Sequence, residues 1–102
     1  MLELRPNCEL CDRDLPPDST EARICTYECT FCAACVEGVL ANVCPNCGGG
    51  FEKRPIRPAR AWRDDTGLVN DPAGSNRRHT LYEREEIETF VRTLCDVPPD
   101  AR

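Results

Sequence analysis

The sequence predicts a small α+β protein whose N-terminal half is held together through its cysteines rather than by a large apolar core. Three observations support this fold class. The chain has only 102 residues, including nine cysteines, nine prolines and six glycines. Eight of the cysteines form four close pairs within the first 50 residues. The one strong helical pattern lies far from them, near the C-terminus.

The chain has too few apolar residues to form an ordinary hydrophobic core. Hydrophobic residues make up 40% of the sequence, but this figure includes the cysteines, and aromatic residues reach only 6%. A module of roughly 50 residues buries too little apolar surface to offset its loss of conformational entropy. Cross-links through cysteine must therefore supply the missing stability.

The compartment decides which cross-link to expect. The first residues contain no apolar run typical of a signal peptide, and no stretch approaches the roughly 20 apolar residues of a membrane span. We therefore predict a cytoplasmic protein with no membrane partner. A reducing environment disfavours disulfides, and so do nine cysteines, because an odd number cannot all pair. The cysteines are expected to bind metal.

The four pairs have the spacing of metal ligands. Three pairs have two residues between their cysteines, and one has three. Such a spacer lets a tight turn aim two sulfurs at one tetrahedral centre while backbone N–H groups bond the thiolates. Four thiolates around one ion form a common structural zinc site. The sequence therefore predicts two Zn²⁺ ions and eight ligands: Cys8, Cys11, Cys25, Cys29, Cys32, Cys35, Cys44 and Cys47.

The order of the gaps resembles that of RING fingers. Successive cysteines are separated by two, thirteen, three, two, two, eight and two residues. Cys25 and Cys29 fall where RING fingers have their third and fourth ligands, and the segment 44–47 resembles the final pair. The resemblance implies a cross-brace with two four-cysteine sites. The first would contain Cys8, Cys11, Cys32 and Cys35, and the second Cys25, Cys29, Cys44 and Cys47. Sequential pairing, in which Cys8, Cys11, Cys25 and Cys29 share one ion, stays open.

The chain also resembles a family of small bacterial proteins known only as a cysteine-rich domain of unknown function, number twelve-seventy-two. The likeness is carried by segments 1–8, 14–25 and 44–49, that is, MLELRPNC, DLPPDSTEARIC and CPNCGG, and it covers at least residues 1–60. The resemblance implies a zinc fold and no known activity.

Charge and proline content divide the chain into three parts. Residues 1–50 form the predicted zinc module and carry net charge −5. Residues 51–79 form a basic arm followed by a flexible linker, and the arm itself, residues 51–63, carries +4. Pro55 and Pro58 disfavour a helix in the arm. Residues 80–97 are predicted to form a C-terminal amphipathic helix.

Local patterns place the secondary structure. Thr80 and Glu83 fit a capping box at the start of the C-terminal helix. Its apolar face would contain Ile87, Phe90, Val91 and Leu94, with Cys95 on the same face as a packing residue. Segment 21–27 predicts a short strand that leads into a turn. Segment 36–43 predicts about two turns of helix, although Gly38 weakens that interpretation.

These features predict a non-catalytic protein. Catalytic zinc keeps an open position, whereas eight cysteines would close both sites. The only histidine, His79, lies in a predicted solvated loop. We expect a structural zinc protein that acts as a protein-interaction or regulatory module, with a protein partner or self-association through the C-terminal helix.

Three other functions remain open at this point. The basic arm, with Trp62 for base stacking, could bind nucleic acid, although two metal-thiolate sites would bring the net charge to about −9 and so disfavour it. The run from Cys29 to Cys35, followed by Cys44, could hold an iron–sulfur cluster of an electron carrier, although its last gap is too long. Leu10 and Pro45 stand where a RING ubiquitin ligase holds its conjugating enzyme, but Leu10 is better explained by packing.

Overall fold

The computed structural model describes residues 1–102, and its regular elements are short. Three strands form one antiparallel sheet in the order β2-β1-β3: β1 (Ala22–Ile24), β2 (Thr30–Cys32) and β3 (Glu52–Lys53). The helices are α1 (Ala33–Glu37) and α2 (Arg84–Leu94), and a 3-10 turn covers Pro99–Ala101. The predicted α+β class is confirmed. Neither helix is long and apolar enough to cross a membrane.

The β1–β2 hairpin positions four of the cysteines. Ala22 pairs with Cys32 and Ile24 with Thr30, so the strands are joined by a turn that contains Cys25 and Cys29. Glu28 adopts a φ of 66° to close this turn. The strand predicted within 21–27 is thus confirmed in a shorter form. Because β2 ends at Cys32 and α1 follows at once, Cys35 lies in the first turn of that helix.

The helix predicted over 36–43 is misplaced. Helix α1 begins three residues earlier, at Ala33, and ends at Glu37, before Gly38. Gly38 carries a high entropic cost inside a helix, and here it forms the C-cap. The residues that follow turn sharply, with Ala41 and Asn42 at positive φ. This turn sends the chain back toward the sheet.

The core is small, and almost a third of its hydrophobic residues are cysteines. Only 23 of 102 residues are buried, and 16 of those are hydrophobic, five of them cysteines of the four pairs. Phe31 of β2 packs against Phe51, and their rings meet edge to face with centroids 5.4 Å apart. Leu15, Leu40 and Val43 complete the centre of the cluster. So little apolar burial agrees with the expectation that cross-links stabilise the module.

Helix α2 docks on the module of its own chain. Ile87 and Val91 are buried within the same cluster as the cysteines, and Leu94 packs partly against it. Phe90 stays 38% exposed. The apolar face predicted for this helix is therefore covered within the monomer, except at Phe90.

Both predicted ends of the C-terminal helix need correction. Glu83, not Thr80, is its N-cap, and the Glu86 carboxylate accepts a hydrogen bond from the Glu83 N–H at 3.4 Å. The capping box is thus real but begins three residues later. Thr80 is engaged elsewhere, because its N–H donates to the Glu9 carbonyl at 3.0 Å.

Cys95 is exposed, so its predicted packing role is wrong. The helix ends at Leu94 and Cys95 forms its C-cap. Eight residues beyond Ile87, a helical position is rotated by about 80° from it, so Cys95 falls beyond the edge of the buried stripe. The residue belongs to neither cysteine cluster described below.

The basic arm is used partly inside the molecule. Arg54 is 1% exposed, and its guanidinium donates to the carbonyls of Arg5, Leu15 and Pro16 at 2.8, 3.2 and 2.9 Å. Arg57 likewise donates to the carbonyls of Leu2 and Asp71. These two arginines therefore fasten the N-terminal segment to the module by hydrogen bonds to the backbone.

Gly48 is the contact point for α2. It has a φ of +82°, and a Cβ there would lie 3.2 Å from the Leu94 side chain and 3.5 Å from Phe90. Positive φ costs an L-residue about 1–2 kcal/mol. A methyl group at this position would also push against the docked helix.

We therefore expect Gly48→Ala to destabilise the protein by about 2 kcal/mol, from backbone strain plus the crowded helix contact. Chemical denaturation followed by circular dichroism measures the difference. Gly49→Ala is the matched control, because Gly49 lacks positive φ and its added Cβ would meet only the Cys47 sulfur, at 3.4 Å. Equal stability of the two variants would contradict this account of Gly48.

Candidate metal centre

The first cysteine cluster joins two distant parts of the chain. The sulfurs of Cys8, Cys11, Cys32 and Cys35 all lie within 4.8 Å of one another, and those of Cys11 and Cys32 are 3.7 Å apart. Four sulfurs bound to one zinc ion at about 2.3 Å would be about 3.8 Å apart at the corners of a tetrahedron. The cluster is therefore the right size for a single tetrahedral ion.

The second cluster contains three sulfurs at this spacing. Cys25, from the hairpin turn, lies within 4.8 Å of Cys44 and Cys47. Cys29 does not meet that limit with all three, although its side chain is buried beside them and interacts with the thiols of Cys25 and Cys44. The structure thus gathers seven of the eight predicted ligands into two clusters and places the eighth next to the second.

The clusters are crosswise. Cys8 and Cys11 lie with Cys32 and Cys35, not with Cys25, so sequential pairing is wrong. Strand β2 connects the clusters, because it runs from Thr30, next to Cys29, to Cys32. When the sulfurs of one cluster come together, they fix one end of β2. Because β2 also positions the other cluster, each cluster helps to form the other.

The segments 8–11 and 44–47 have the same backbone turn. The N–H of Asp12 donates to the Cys8 carbonyl at 2.9 Å, and the N–H of Gly48 donates to the Cys44 carbonyl at 2.7 Å. In both turns the residue after the second cysteine has positive φ, 66° at Asp12 and 82° at Gly48. This geometry directs two sulfurs toward one point, as the two-residue spacing predicts.

Backbone N–H groups point at the sulfurs. The N–H of Tyr27 lies 3.4 Å from the Cys25 sulfur, and the N–H of Gly49 lies 3.4 Å from the Cys47 sulfur. Such contacts spread the charge of a thiolate and favour its ionised form. The sites are therefore suited to thiolate ligands rather than to neutral thiols.

Crowding prevents the thiols from ionising together in the absence of a cation. The interaction with the Cys44 thiol, opposed by burial, lowers the pKa of Cys29 to about 5. Burial raises the pKa of Cys25 to about 11, and the neighbouring Cys29 together with burial raises the pKa of Cys44. A bound cation would remove this repulsion, and its uptake would release protons. Metal affinity should therefore fall as the pH falls.

Glu9 is a buried carboxylate between the two clusters. It lies inside the first turn, between Cys8 and Cys11, and is only 5% exposed. One of its oxygens accepts the N–H of Thr30 at 2.7 Å and a guanidinium N–H of Arg5 at 3.2 Å. The other accepts the amide of Asn46, in the second turn, at 3.2 Å. Glu9 therefore links both turns and strand β2.

Asn46 carries this link to Cys29. Its amide oxygen accepts the Thr80 hydroxyl at 3.0 Å, which fixes the orientation of the side chain. The Asn46 side chain also lowers the pKa of Cys29, after the larger effects of the Cys44 thiol and of burial. Glu9, Asn46 and Cys29 line one cavity. A residue of the first turn thus supports a cysteine of the second cluster.

The segment 74–80 returns along the N-terminal residues. The Asn7 side chain donates to the Arg78 carbonyl at 2.8 Å and accepts the Arg78 N–H at 3.1 Å. Arg77 pairs with Asp12 and Asp14 at 2.8 and 2.7 Å. His79 is 56% exposed and lies outside both cysteine clusters. Hydrogen bonds and ion pairs therefore hold the C-terminal end of the linker, which the sequence predicted to be flexible, against the N-terminal residues.

The cysteine ligands are recognisable in the sequence, whereas the polar residues that hold them in place are not. Glu9, Asn46 and Arg54 make contacts with partners far away in sequence, and no local pattern reveals those partners. The position of Glu9 between Cys8 and Cys11 was the one signal in the sequence, because a charged residue inside a two-residue spacer must either face solvent or be paired. Leu10, the residue after Glu9 that corresponds to a contact position of RING ligases, packs partly against the core.

Fold and site together define a small α+β protein with two crosswise cysteine clusters that could bind metal ions. Residues 1–57 match the model of the family described as "Protein of unknown function (DUF1272)", and the chain belongs to that family. The chain is also similar to uncharacterized protein R02474 of Rhizobium meliloti strain 1021, with 70% identity over 77 residues, which cover 72% of this chain and 92% of that protein. No solved structure matches the chain.

We expect Glu9→Gln to weaken metal binding at the second cluster more than at the first. Glutamine keeps the shape but turns one oxygen into an NH₂ donor, which must face the N–H of Thr30 or the amide of Asn46. Loss of such a supporting contact typically lowers metal affinity about 10–100-fold. Cobalt titration read by thiolate-to-metal charge-transfer absorption would resolve the two binding steps.

Glu21→Gln is the control for this substitution, because the Glu21 side chain is exposed and makes no hydrogen bond or ion pair. It should leave both steps unchanged. If Glu9→Gln weakened only the first step, or neither, Glu9 would not support the second cluster.

Proposed function

We propose that the protein is a non-catalytic, structural zinc protein that carries two tetrathiolate Zn²⁺ sites and presents its surface to a protein partner. The observation that carries the proposal is the crosswise convergence of the thiols, with sulfurs 3.7 Å apart in the first cluster. The second site would be completed by Cys29, through a small movement of the hairpin turn. We also propose a cytoplasmic location, which is supported by the need of thiolate ligands for a reducing compartment.

The spacing of the sulfurs favours a single ion over an iron–sulfur cluster. An iron–sulfur cluster puts several iron and sulfide atoms between its cysteine ligands, and it therefore holds those ligands farther apart than one ion does. Sulfurs within 4.8 Å of one another leave no room for it. Among single ions, zinc suits four soft thiolates in a tetrahedral arrangement.

A structural role follows from how the sites would be closed. Four thiolates per ion leave no open position for water or substrate, which catalytic zinc needs. The cysteines also make up much of the buried core, so a metal there would substitute for apolar packing. Structural zinc contributes roughly 10–16 kcal/mol in small domains, more than this core could supply.

Part of the basic arm is unavailable for nucleic acid. Arg54 and Arg57 already bind backbone carbonyls, so they are not free for phosphates. With two metal sites the molecule would carry a net charge of about −9, which opposes nonspecific binding to nucleic acid. A ligase-type contact is also disfavoured, because Leu10 packs against the core and Pro45 is buried.

Elemental analysis of the purified protein tests the proposal. We expect about two zinc ions per chain and negligible iron, and we expect chelation to erase the dispersed NMR signals of residues 8–50 because metal binding and folding are one event. Visible absorbance with bound iron, or a folded spectrum after complete removal of metal, would contradict the proposal.

Two cysteine variants sharpen this test. Cys32→Ser removes a thiol from the first cluster and should lose at least one zinc ion. Cys95→Ser is the matched control, since Cys95 is exposed and belongs to neither cluster, and it should retain both ions. Loss of a whole zinc ion from the Cys95 variant would overturn the ligand assignment.

A further inference from the structure

A small groove lies between helix α2 and the second cysteine turn. It has a volume of about 370 Å³, and Pro45, Cys47, Tyr82 and Phe90 line it. Tyr82 and Phe90 are 48% and 38% exposed, although the neighbouring Ile87 is buried. The groove is thus a partly open aromatic site beside the second cluster, close to the smallest size typical of a binding pocket.

The rim of the groove is acidic, and its carboxylates form no ion pairs. Glu86 lines the groove, and Glu83 and Glu85 lie on the adjoining surface, which shares Glu86 and Phe90 with it. None of these three carboxylates belongs to an ion pair of the molecule. Bound zinc would leave each tetrathiolate site with a net charge of −2, so under the proposed function the second site adds to the negative potential. An occupant should therefore be cationic with an apolar or aromatic anchor.

The chain itself carries such a group on the loop of residues 58–68, here called the Trp62 loop. Trp62 is 73% exposed, and the Arg60 guanidinium stacks over its ring at 5.8 Å. The side chains of Arg60 and Arg63 make no hydrogen bond or ion pair, in contrast to Arg54 and Arg57 of the same arm. The loop therefore offers two free cations around an exposed indole.

The Trp62 loop is built as an ordered unit. The Leu68 N–H donates to the Pro58 carbonyl at 2.8 Å and closes the loop. The Thr66 hydroxyl donates to the Arg63 carbonyl at 2.7 Å. Gly67 has a φ of +81°, and any Cβ there would lie 2.3 Å from the Arg60 carbonyl oxygen, so only glycine allows this closure. An ordered loop loses little conformational entropy on binding.

We propose that the Trp62 loop of one copy docks in the α2 groove of a second copy, and that the contact is reciprocal in a two-fold symmetric dimer. Trp62 enters the aromatic groove, while Arg60 and Arg63 face Glu85 and Glu86. Buried tryptophan and arginine are the side chains that most often dominate an interface. In the monomer Trp62 is exposed and lies outside its own groove, so the partner must be another molecule.

The charges next to the loop favour a second copy over nucleic acid. Asp64 and Asp65 lie two and three residues after Trp62, and both are exposed, so they would repel a phosphate backbone. Helix α2 carries Arg84, which has no carboxylate partner and can face them. The loop and the helix are thus complementary in both signs of charge.

Sedimentation velocity over a range of protein concentrations tests the proposal on the full-length, metal-loaded protein. The wild type should shift from monomer to dimer as the concentration rises, and Trp62→Ala should weaken this association about tenfold or more. The zinc content of every sample is measured, so that a failure of the metal sites is distinguished from a failure of the interface. A wild type with two zinc ions that stays monomeric would overturn the proposal, as would an unaffected Trp62→Ala dimer.

A charge exchange makes the test specific. Arg60→Glu/Arg63→Glu and Glu85→Lys/Glu86→Lys should each be monomeric alone, whereas an equal mixture should form a mixed dimer, because both reciprocal contacts regain opposite charges. Arg13→Glu/Lys53→Glu is the matched control, since it changes the net charge equally at exposed sites and should stay dimeric. No association in the mixture would contradict the pairing. So would a monomeric wild type that binds a labelled single-stranded oligonucleotide through Trp62, which would assign the loop to nucleic acid.

Discussion

The convergence of thiols from distant parts of the chain is the constraint on which the rest of the structure depends. The strands and the first helix are too short to be stable alone, and a core of 16 buried hydrophobic residues cannot offset the entropy of ordering 102. Each cysteine cluster closes a long loop, and the two share strand β2. One cluster therefore helps to position the other, and a bound ion at each would lock the hairpin, helix α1 and both cysteine turns at once.

The polar contacts around the clusters follow from the same constraint. Bringing eight sulfurs together concentrates negative charge when the thiols ionise. Backbone N–H groups aimed at sulfur offset part of this charge. Arg5 lies near Cys29, and its positive charge helps to lower the pKa of that thiol. Glu9 adds another negative charge, but three donors satisfy it: Thr30, Arg5 and Asn46. Buried polar groups with full sets of partners specify one arrangement, whereas apolar packing alone would tolerate several.

The C-terminal third completes the module instead of forming a separate unit. Helix α2 covers Gly48 and the core beside it, and the side chain of Arg102 donates to the carbonyls of Asn42 and Gly48 at 2.9 and 3.1 Å. The second cysteine turn is therefore held from the outside as well as by its own cluster. What stays open on this side is the aromatic groove near Phe90, and it is the one part of the helix face that the monomer does not cover.

The sequence was informative where chemistry is local. The two-residue spacers predicted the cysteine turns. The crosswise clusters were implied only by the resemblance to RING fingers, because the spacing alone left sequential pairing open. The capping box of α2 begins three residues later than predicted, because Thr80 and Glu83 match the Ser/Thr-x-x-Glu pattern, whereas the observed N-cap, Glu83, is not a residue that the pattern favours. Cys95 was assigned to the buried face because periodicity was extended past the real helix end. The burial of Arg54 and Glu9 could not be predicted, because their carbonyl and amide partners lie far away in sequence and do not affect the local pattern.

The membership of each candidate metal site can be read directly by loading the protein with NMR-active cadmium and recording couplings from each ion to the cysteine Cβ protons. The account predicts one cadmium signal coupled to Cys8, Cys11, Cys32 and Cys35. It predicts a second coupled to Cys25, Cys29, Cys44 and Cys47. A signal that correlates with both Cys8 and Cys25 would contradict the crosswise arrangement, and a second ion without coupling to Cys29 would contradict its assignment as the fourth ligand.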